Sequence, residues 1–219
     1  MIWLQGGPFL EISFLLTFDL GRQSFVDRIL TKLKSLKPSV EFVTSEAELN
    51  EKISAFHIGY PFDDKDQNSK VLHQIQIPLY VDIEVKRKSV LSLRQVSDKF
   101  MAVDFWFFGA EQDEAEWNQE GITENQLPIF KDFLNTLFDT FDFVLGTMGF
   151  EISVTDLFEI SDGWPDERYN IENISRELLQ VDNYFSLIIA NKKHIDIQDI
   201  SGVKTIGYRQ TLETEKYSA

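Results

Sequence analysis

Apolar residues near the start of the chain follow two different patterns in succession. A run from Phe9 to Phe18 is typical of a buried strand. From Arg22 to Leu36 the apolar positions have helical spacing, which predicts one buried helix face made of Phe25, Ile29, Leu33 and Leu36. Pro38 ends this helix, and a short strand is predicted at Val40–Val43.

A second segment repeats this order further along the chain. Val103–Phe108 is predicted to be a strand, a polar loop follows, and a helix is predicted over Glu124–Phe141. Thr123 is its expected N-cap, and Gln126 completes a capping box. A strand at Phe143–Val154 ends the unit. The two strand–helix–strand units are similar in length, so a tandem duplication is one explanation, although few of their residues are identical.

The clearest alternation of apolar and polar residues lies between these units, over His73–Lys88. One face carries Ile75, Ile77, Leu79, Val81, Ile83 and Val85. This pattern predicts a single half-buried antiparallel strand. Pro78 indicates an edge strand or a bulge, because proline cannot donate to a neighbouring strand.

Together these elements predict an α+β fold, with a mixed, mainly antiparallel sheet and helices packed on it. A short helix near Ile171–Leu179 and a strand at Tyr184–Ala190 follow, and the polar tail Thr211–Ala219 is expected to be frayed. We expect residues 1–219 to form one domain, with subdomains 1–100 and 101–219 as the alternative organisation.

The net charge of −15 is distributed unevenly, which changes the functional picture. Residues 1–100 hold 13 acidic and 13 basic side chains, whereas residues 101–219 hold 23 acidic and 8 basic ones. Such a field repels nucleic acids and anionic membranes and favours a basic partner. Acidity that serves only solubility is the alternative explanation.

Most recognisable chemistry is missing from the sequence. There is no cysteine, P-loop, nucleophile elbow or dinucleotide motif, and we expect no cofactor. His57, His73 and His194 have no metal-binding spacing, and the calcium-like run Asp63–Asn68 lacks the required glycine and glutamate. Without a basic leader or a long apolar span, the protein is expected to be cytoplasmic.

Two acidic loops that each contain a tryptophan are the candidate binding residues. The first comprises Glu111, Asp113, Glu114, Glu116, Trp117 and Glu120. The second comprises Asp162, Trp164, Asp166 and Glu167. A tryptophan among carboxylates suits a basic protein surface, because the ring fills a pocket while the acids steer association. Alternatively, each tryptophan folds back onto the core and the acids are a solvated rim.

These observations favour a protein-binding module over an enzyme. One class that matches is a bacterial immunity protein, which would neutralise a basic toxin such as a nuclease by direct binding. An enzyme whose carboxylate or histidine site forms only in three dimensions is one alternative. A homodimer joined through the sheet edge at Ile75–Val85 is the other.

Overall fold

The computed structural model describes residues 3–17, 22–56, 74–96, 99–158, 171–180 and 185–213. Within these ranges there are three α-helices: α1 (Arg22–Lys34), α2 (Glu46–Phe56) and α3 (Leu127–Phe141). The strands are β1 (Phe9–Thr17), β2 (Val40–Phe42), β3 (Gln74–Ile83), β4 (Val85–Gln95), β5 (Phe100–Phe108), β6 (Leu145–Phe150), β7 (Phe185–Asn191), β8 (Lys204–Ile206) and β9 (Arg209–Glu213).

The described strands form one sheet in the order β2-β3-β4-β5-β1-β6-β7-β9-β8. Every neighbouring pair is antiparallel. With the helices this is an α+β fold, as the sequence predicted. The division at residue 100 stays a prediction, and β1 pairs on both sides with strands from the second half.

Because β1 is antiparallel to both β5 and β6, those two strands run parallel to each other with β1 between them. Helix α3 is therefore the crossover of a split strand–helix–strand unit. The unit β1-α1-β2 is wider, since β5, β4 and β3 lie between its two strands. The two predicted units are thus present, but they enclose different numbers of strands.

One face of the sheet is covered by the helices. Phe130, Phe133 and Leu137 on α3 are fully buried against the sheet, and Phe107 meets the rings of Phe130 and Phe133 edge-on. Phe25, Ile29, Leu33 and Leu36, the predicted apolar stripe of the first helix, belong to the same core. This core accounts for most of the buried phenylalanine, the residue that gives the sequence its unusual composition.

The opposite face is covered at one end by short 3₁₀ turns at Val154–Leu157 and Leu178–Gln180. Val154, Leu157 and Leu179 pack there with Leu15 and Ile188 from the sheet. The sheet is therefore a middle layer between a helical layer and a thinner layer of turns.

The strand predicted over His73–Lys88 is in fact a tight hairpin. β3 ends at Ile83, Glu84 turns with a positive φ of 58°, and Val85 begins β4. Ile83 pairs directly with Val85. Because only Glu84 separates this pair, odd-numbered residues of β3 lie opposite odd-numbered residues of β4. All odd-numbered residues of the two strands therefore share one face of the sheet, and the alternation of apolar and polar positions continues through the turn. Val85 itself is exposed, contrary to its expected inward position.

The same strand is not the outer edge of the sheet along its whole length. β2 covers β3 at Leu79–Val81, while β4 lies on its other side. Pro78 lies where β2 ends, and its carbonyl accepts a hydrogen bond from Val43 N–H on that side. The Pro78 nitrogen, which carries no hydrogen to donate, therefore points toward the end of β2. The proline does not interrupt the pairing of β3 with β4.

Three further differences from the sequence prediction concern short elements. Helix α2 was not predicted, although Ser45 and Glu48 cap it reciprocally. The segment predicted as helix near Ile171–Leu179 contains only 3₁₀ turns. Thr211–Glu213, predicted as frayed tail, belongs to β9.

Candidate binding site at the acidic loop

The segment from residues 110 to 121, here called the acidic loop, connects β5 to the turn that precedes α3. Two consecutive residues of β4 hold its backbone from opposite faces of the sheet. The buried Arg87 guanidinium donates to the carbonyls of Glu120 (3.1 Å) and Gly121 (2.8 Å). Lys88 Nζ donates to the carbonyl of Trp117 at 2.5 Å. Two basic side chains are thus occupied by main-chain oxygens of the loop.

Further hydrogen bonds fix the shape of the acidic loop. Gln119, which is buried, exchanges two bonds with the backbone of Gln5, each 2.8 Å long. Glu114 and Gln119 pair through their main chains, and Asp113 Oδ1 accepts from Gly121 N–H at 2.9 Å. The loop is therefore built as a closed, cross-linked turn, and its conformation does not depend on its remaining carboxylates.

Those remaining carboxylates point to solvent. Glu111, Glu116 and Glu120 are exposed, and Glu114 is half-buried. Among the described residues, none of the four forms an ion pair. Acidic residues elsewhere in the described fold do pair, as in Glu41–Lys86, Asp139–Arg209 and Asp142–Lys193. The acidic loop thus presents charge that the described part of the chain does not neutralise.

Trp117, the expected anchor of this loop, is half-buried. A Cβ placed on Gly6 would lie 3.3 Å from the Trp117 ring and 3.6 Å from Phe108. Trp117 therefore leans on the N-terminal segment at the end of the sheet while part of its ring stays accessible. One part of the Trp117 ring is accessible, as expected for an anchor, and another part packs on the protein, as expected for a ring folded back onto the core.

A groove of about 530 Å³ lies beside the acidic loop. Phe9 pairs with Phe108 and Leu10 with Phe150, so the start of β1 and the ends of β5 and β6 meet at this point. The lining combines Pro8, Gly109, Ala110, Glu111, Gln112, Glu114, Ile122, Thr123, Glu124, Leu127 and Phe150. Its described lining has three carboxylates and no basic residue, together with an apolar floor.

Gly109 lets the backbone approach closely at the floor of this groove. A Cβ there would lie 2.8 Å from Leu10 N and 2.8 Å from Phe150 Cε1, so no side chain is accommodated. The far wall is the start of the helical segment, where Gln126 Oε1 accepts from Thr123 N–H and completes the predicted capping box. Both walls are therefore fixed by contacts within the chain.

The second predicted loop, with Asp162, Trp164, Asp166 and Glu167, lies outside the described residues. So do the calcium-like run Asp63–Asn68, His57 and His73. His194 is described and lies in the turn after β7, where its N–H donates to Asn191 O. In the described ranges no three histidine or acidic side chains are grouped to hold a metal ion.

A separate group of carboxylates lies on the sheet face opposite the helices. Asp104 on β5 is buried and accepts a 2.5 Å hydrogen bond from Ser13 Oγ on β1, and Ser13 Oγ accepts from Val154 N–H. Glu11 lies two residues before Ser13 on the same face. Sequence reasoning did not single out this pair, because isolated acids within apolar strands carry no motif.

Burial governs the titration of this group. It raises the pKa of Glu11 to about 7, with further increases from the charges of Asp104, Glu151 and Asp156 and a decrease from Arg94. Burial also raises the pKa of Asp104, against the opposing effects of Arg94 and the Ser13 hydrogen bond. These carboxylates do not line the groove beside the acidic loop, so the titrating group and the groove are separate features.

Comparison with known proteins finds no matching family model, no matching curated protein and no matching solved structure. None of the described helices is long and apolar enough to cross a membrane.

Replacing Arg87 with methionine tests whether the acidic loop depends on its cation. Arg87→Met keeps an apolar stem near Phe130 but leaves the carbonyls of Glu120 and Gly121 without their donor. We expect the free energy of unfolding to fall by about 1–3 kcal/mol, measured by urea denaturation. Lys86→Met is the matched control, because its ion pair with Glu41 is solvent-exposed and contributes little. Equal effects of the two changes would contradict this role of Arg87.

The Glu11 pKa predicts a dependence of stability on pH. Its folded value of about 7 lies above the ordinary 4.5. Its contribution to stability is therefore fully present below pH 4.5 and is lost as the pH rises through 7. At pH 8, Glu11→Gln should raise the free energy of unfolding by about 1–3 kcal/mol, allowing for solvent screening.

Near pH 4 the same substitution should have little effect, because the Glu11 carboxyl of the wild-type protein is then largely protonated in both the folded and the unfolded state. Urea denaturation across this pH range measures the difference, with Glu172→Gln at an exposed position as the control. A Glu11→Gln effect that is the same at both pH values would show that burial does not govern this carboxyl.

Proposed function

We propose that this protein is a protein-binding module whose acidic loop receives the basic surface of a partner. The observation that carries the proposal is the set of acidic-loop carboxylates that form no ion pair with any described residue, on a backbone held in place by Arg87 and Lys88. A preformed binding surface loses little conformational entropy on association. Unpaired acids at its rim attract a basic protein and increase the association rate.

The overall charge supports the same class of partner. A chain with net charge −15 repels nucleic acid and anionic lipid, so neither is part of the proposal. Catalysis is less well supported, because the carboxylates with raised pKa values and the groove lie in different places. A homodimer through Ile75–Val85 is also less favoured, because β2 and β4 flank the middle of β3.

Within this class, we propose an immunity protein that acts in the bacterial cytoplasm and neutralises a basic toxin, such as a nuclease, by covering it. The support is chemical: a nuclease surface that binds phosphates is basic, and a rigid acidic loop complements it. The second loop, with Asp162, Trp164, Asp166 and Glu167, is the remaining part of this proposed surface.

Charge reversal of the acidic loop tests the proposal. The triple change Glu111→Lys, Glu114→Lys and Glu116→Lys spares Asp113, whose carboxylate bonds to Gly121 N–H. The matched control reverses Glu51, Glu172 and Glu177, which are exposed on other parts of the fold and give the same net charge. All three proteins serve as bait in an extract of the source organism, and captured proteins are identified by mass spectrometry.

We expect a basic protein to be captured by the wild type and the control but not by the loop variant. With the purified partner at low salt, the loop variant should associate at least about tenfold more slowly. Co-expression with that partner should then relieve its toxicity. Capture that is the same for all three baits, or an unchanged association rate, would overturn the proposal.

A further inference from the structure

The groove beside the acidic loop has an apolar surface and a group of carboxylates, and one type of side chain can contact both. Ile122 and Leu127 are buried in its floor, and Phe150 is half-buried there. Glu111 and Glu124 stand exposed on opposite walls, and Glu114 is half-buried on the loop side. An apolar floor below a rim of carboxylates complements a long aliphatic stem that ends in a cation.

We propose that this groove is the pocket for a lysine or arginine side chain of the protein partner. The stem would lie on Ile122, Leu127 and Phe150, and its ammonium or guanidinium would lie among Glu111, Glu114 and Glu124. This inference rests on the proposed function and names the contact by which the partner would be anchored.

Other occupants satisfy the groove less well. An acidic side chain would add like charge to a pocket whose lining, as far as the structure describes it, has three carboxylates and no basic residue. A purely apolar side chain would fill the floor but would desolvate the carboxylates without providing a counter-charge. A volume of about 530 Å³ also exceeds the needs of a metal ion and lies in the range of pockets that hold organic groups.

The rigidity of the groove makes such a pocket effective. Its loop wall is fixed by the bonds of Arg87 and Asp113 to Gly121 and its neighbours, and its helical wall by the Thr123–Gln126 cap. Ile122 N–H donates to Ala110 O at 2.9 Å and ties the two ends of the acidic loop together. A cation that enters would therefore meet carboxylates carried by a backbone that is already in position.

The test uses the whole protein and a small probe, N-acetyl-lysine methylamide, followed by amide chemical shifts. We expect saturable shifts confined to the groove, at Gly109, Ala110, Ile122 and Thr123. The norleucine analogue, which has the same stem without the charge, should bind at least about fivefold more weakly.

The double variant Glu114→Gln and Glu124→Gln should weaken lysine binding by about tenfold. Glu172→Gln with Glu177→Gln is the matched control and should leave it unchanged.

Three outcomes would overturn the inference. Equal binding of the norleucine analogue would show a purely apolar pocket. Shifts spread over all acidic surfaces would show nonspecific attraction. Saturable binding of free spermidine at the groove amides, with no saturable shift from the lysine probe, would assign the groove to a soluble polyamine.

One further variant separates this inference from the proposed function. Ala110→Leu fills the groove without changing any charge, and its backbone bond to Ile122 is retained. If capture of the basic partner is lost with Ala110→Leu, both proposals are supported. If capture survives Ala110→Leu but is lost on reversal of Glu111, Glu114 and Glu116, the protein-binding function stands and the groove inference falls.

Discussion

Arg87 and Lys88 follow each other on β4 and point to opposite faces of the sheet, yet both donate to main-chain oxygens of one loop. Arg87 does so from a buried position above Phe130 of α3, and burial lowers its pKa. Lys88 does so beside Trp3, whose ring lies 5.0 Å from its ammonium. The sheet thus holds the acidic loop by side chains from both of its faces.

This arrangement determines where the negative charge of the protein is available. The cations nearest the acidic loop are engaged by carbonyls, so they hold the loop without forming ion pairs with its exposed glutamates. In other described regions, basic side chains pair directly with acids, as Arg176 does with Asp199. The glutamates of the acidic loop that form no ion pair with described residues therefore lie on a fixed backbone next to a groove. This combination, and not acidity alone, is the basis on which we propose a binding role.

The carboxylates on the opposite sheet face have a different physical basis. Asp104 is buried under the turn that carries Val154, and Ser13 links the two by hydrogen bonds. The energetic cost of charging the buried Glu11 carboxyl, increased by the nearby Asp104, reduces stability as the pH rises. This face and the acidic loop therefore respond to pH and to charge substitution independently of each other.

The sequence was informative where one local rule dominates. Apolar periodicity identified β1, α1, β5 and α3. The predicted capping pair of Thr123 and Gln126 is present, but it caps a 3₁₀ turn at Glu124–Gln126, and α3 begins only at Leu127. The β3–β4 hairpin was missed because a turn at Glu84 preserves the alternation. Helix α2 carried a readable signal in Ser45 and Glu48, which the hydrophobic pattern alone did not reveal.

The acidic loop was also visible in the sequence, but the groove was not. Pro8, Gly109, Leu127 and Phe150 meet only because β1 lies between β5 and β6, an order that no local pattern encodes. The roles of Arg87 and Lys88 were hidden for the same reason. In the sequence they are two ordinary charges near the end of an alternating stretch.

Amide hydrogen exchange of the free protein tests most directly whether the acidic loop is held before any partner arrives. The informative amides are those of Gln119, Gly121 and Ile122, which donate to Glu114 O, Asp113 Oδ1 and Ala110 O. A preformed loop predicts exchange at least about 100-fold slower than in an unstructured peptide. That protection should be lost when Arg87 and Lys88 are both replaced by methionine. Unprotected amides in the wild-type protein would contradict the account, because the carboxylates would then lie on a loop that the sheet does not hold.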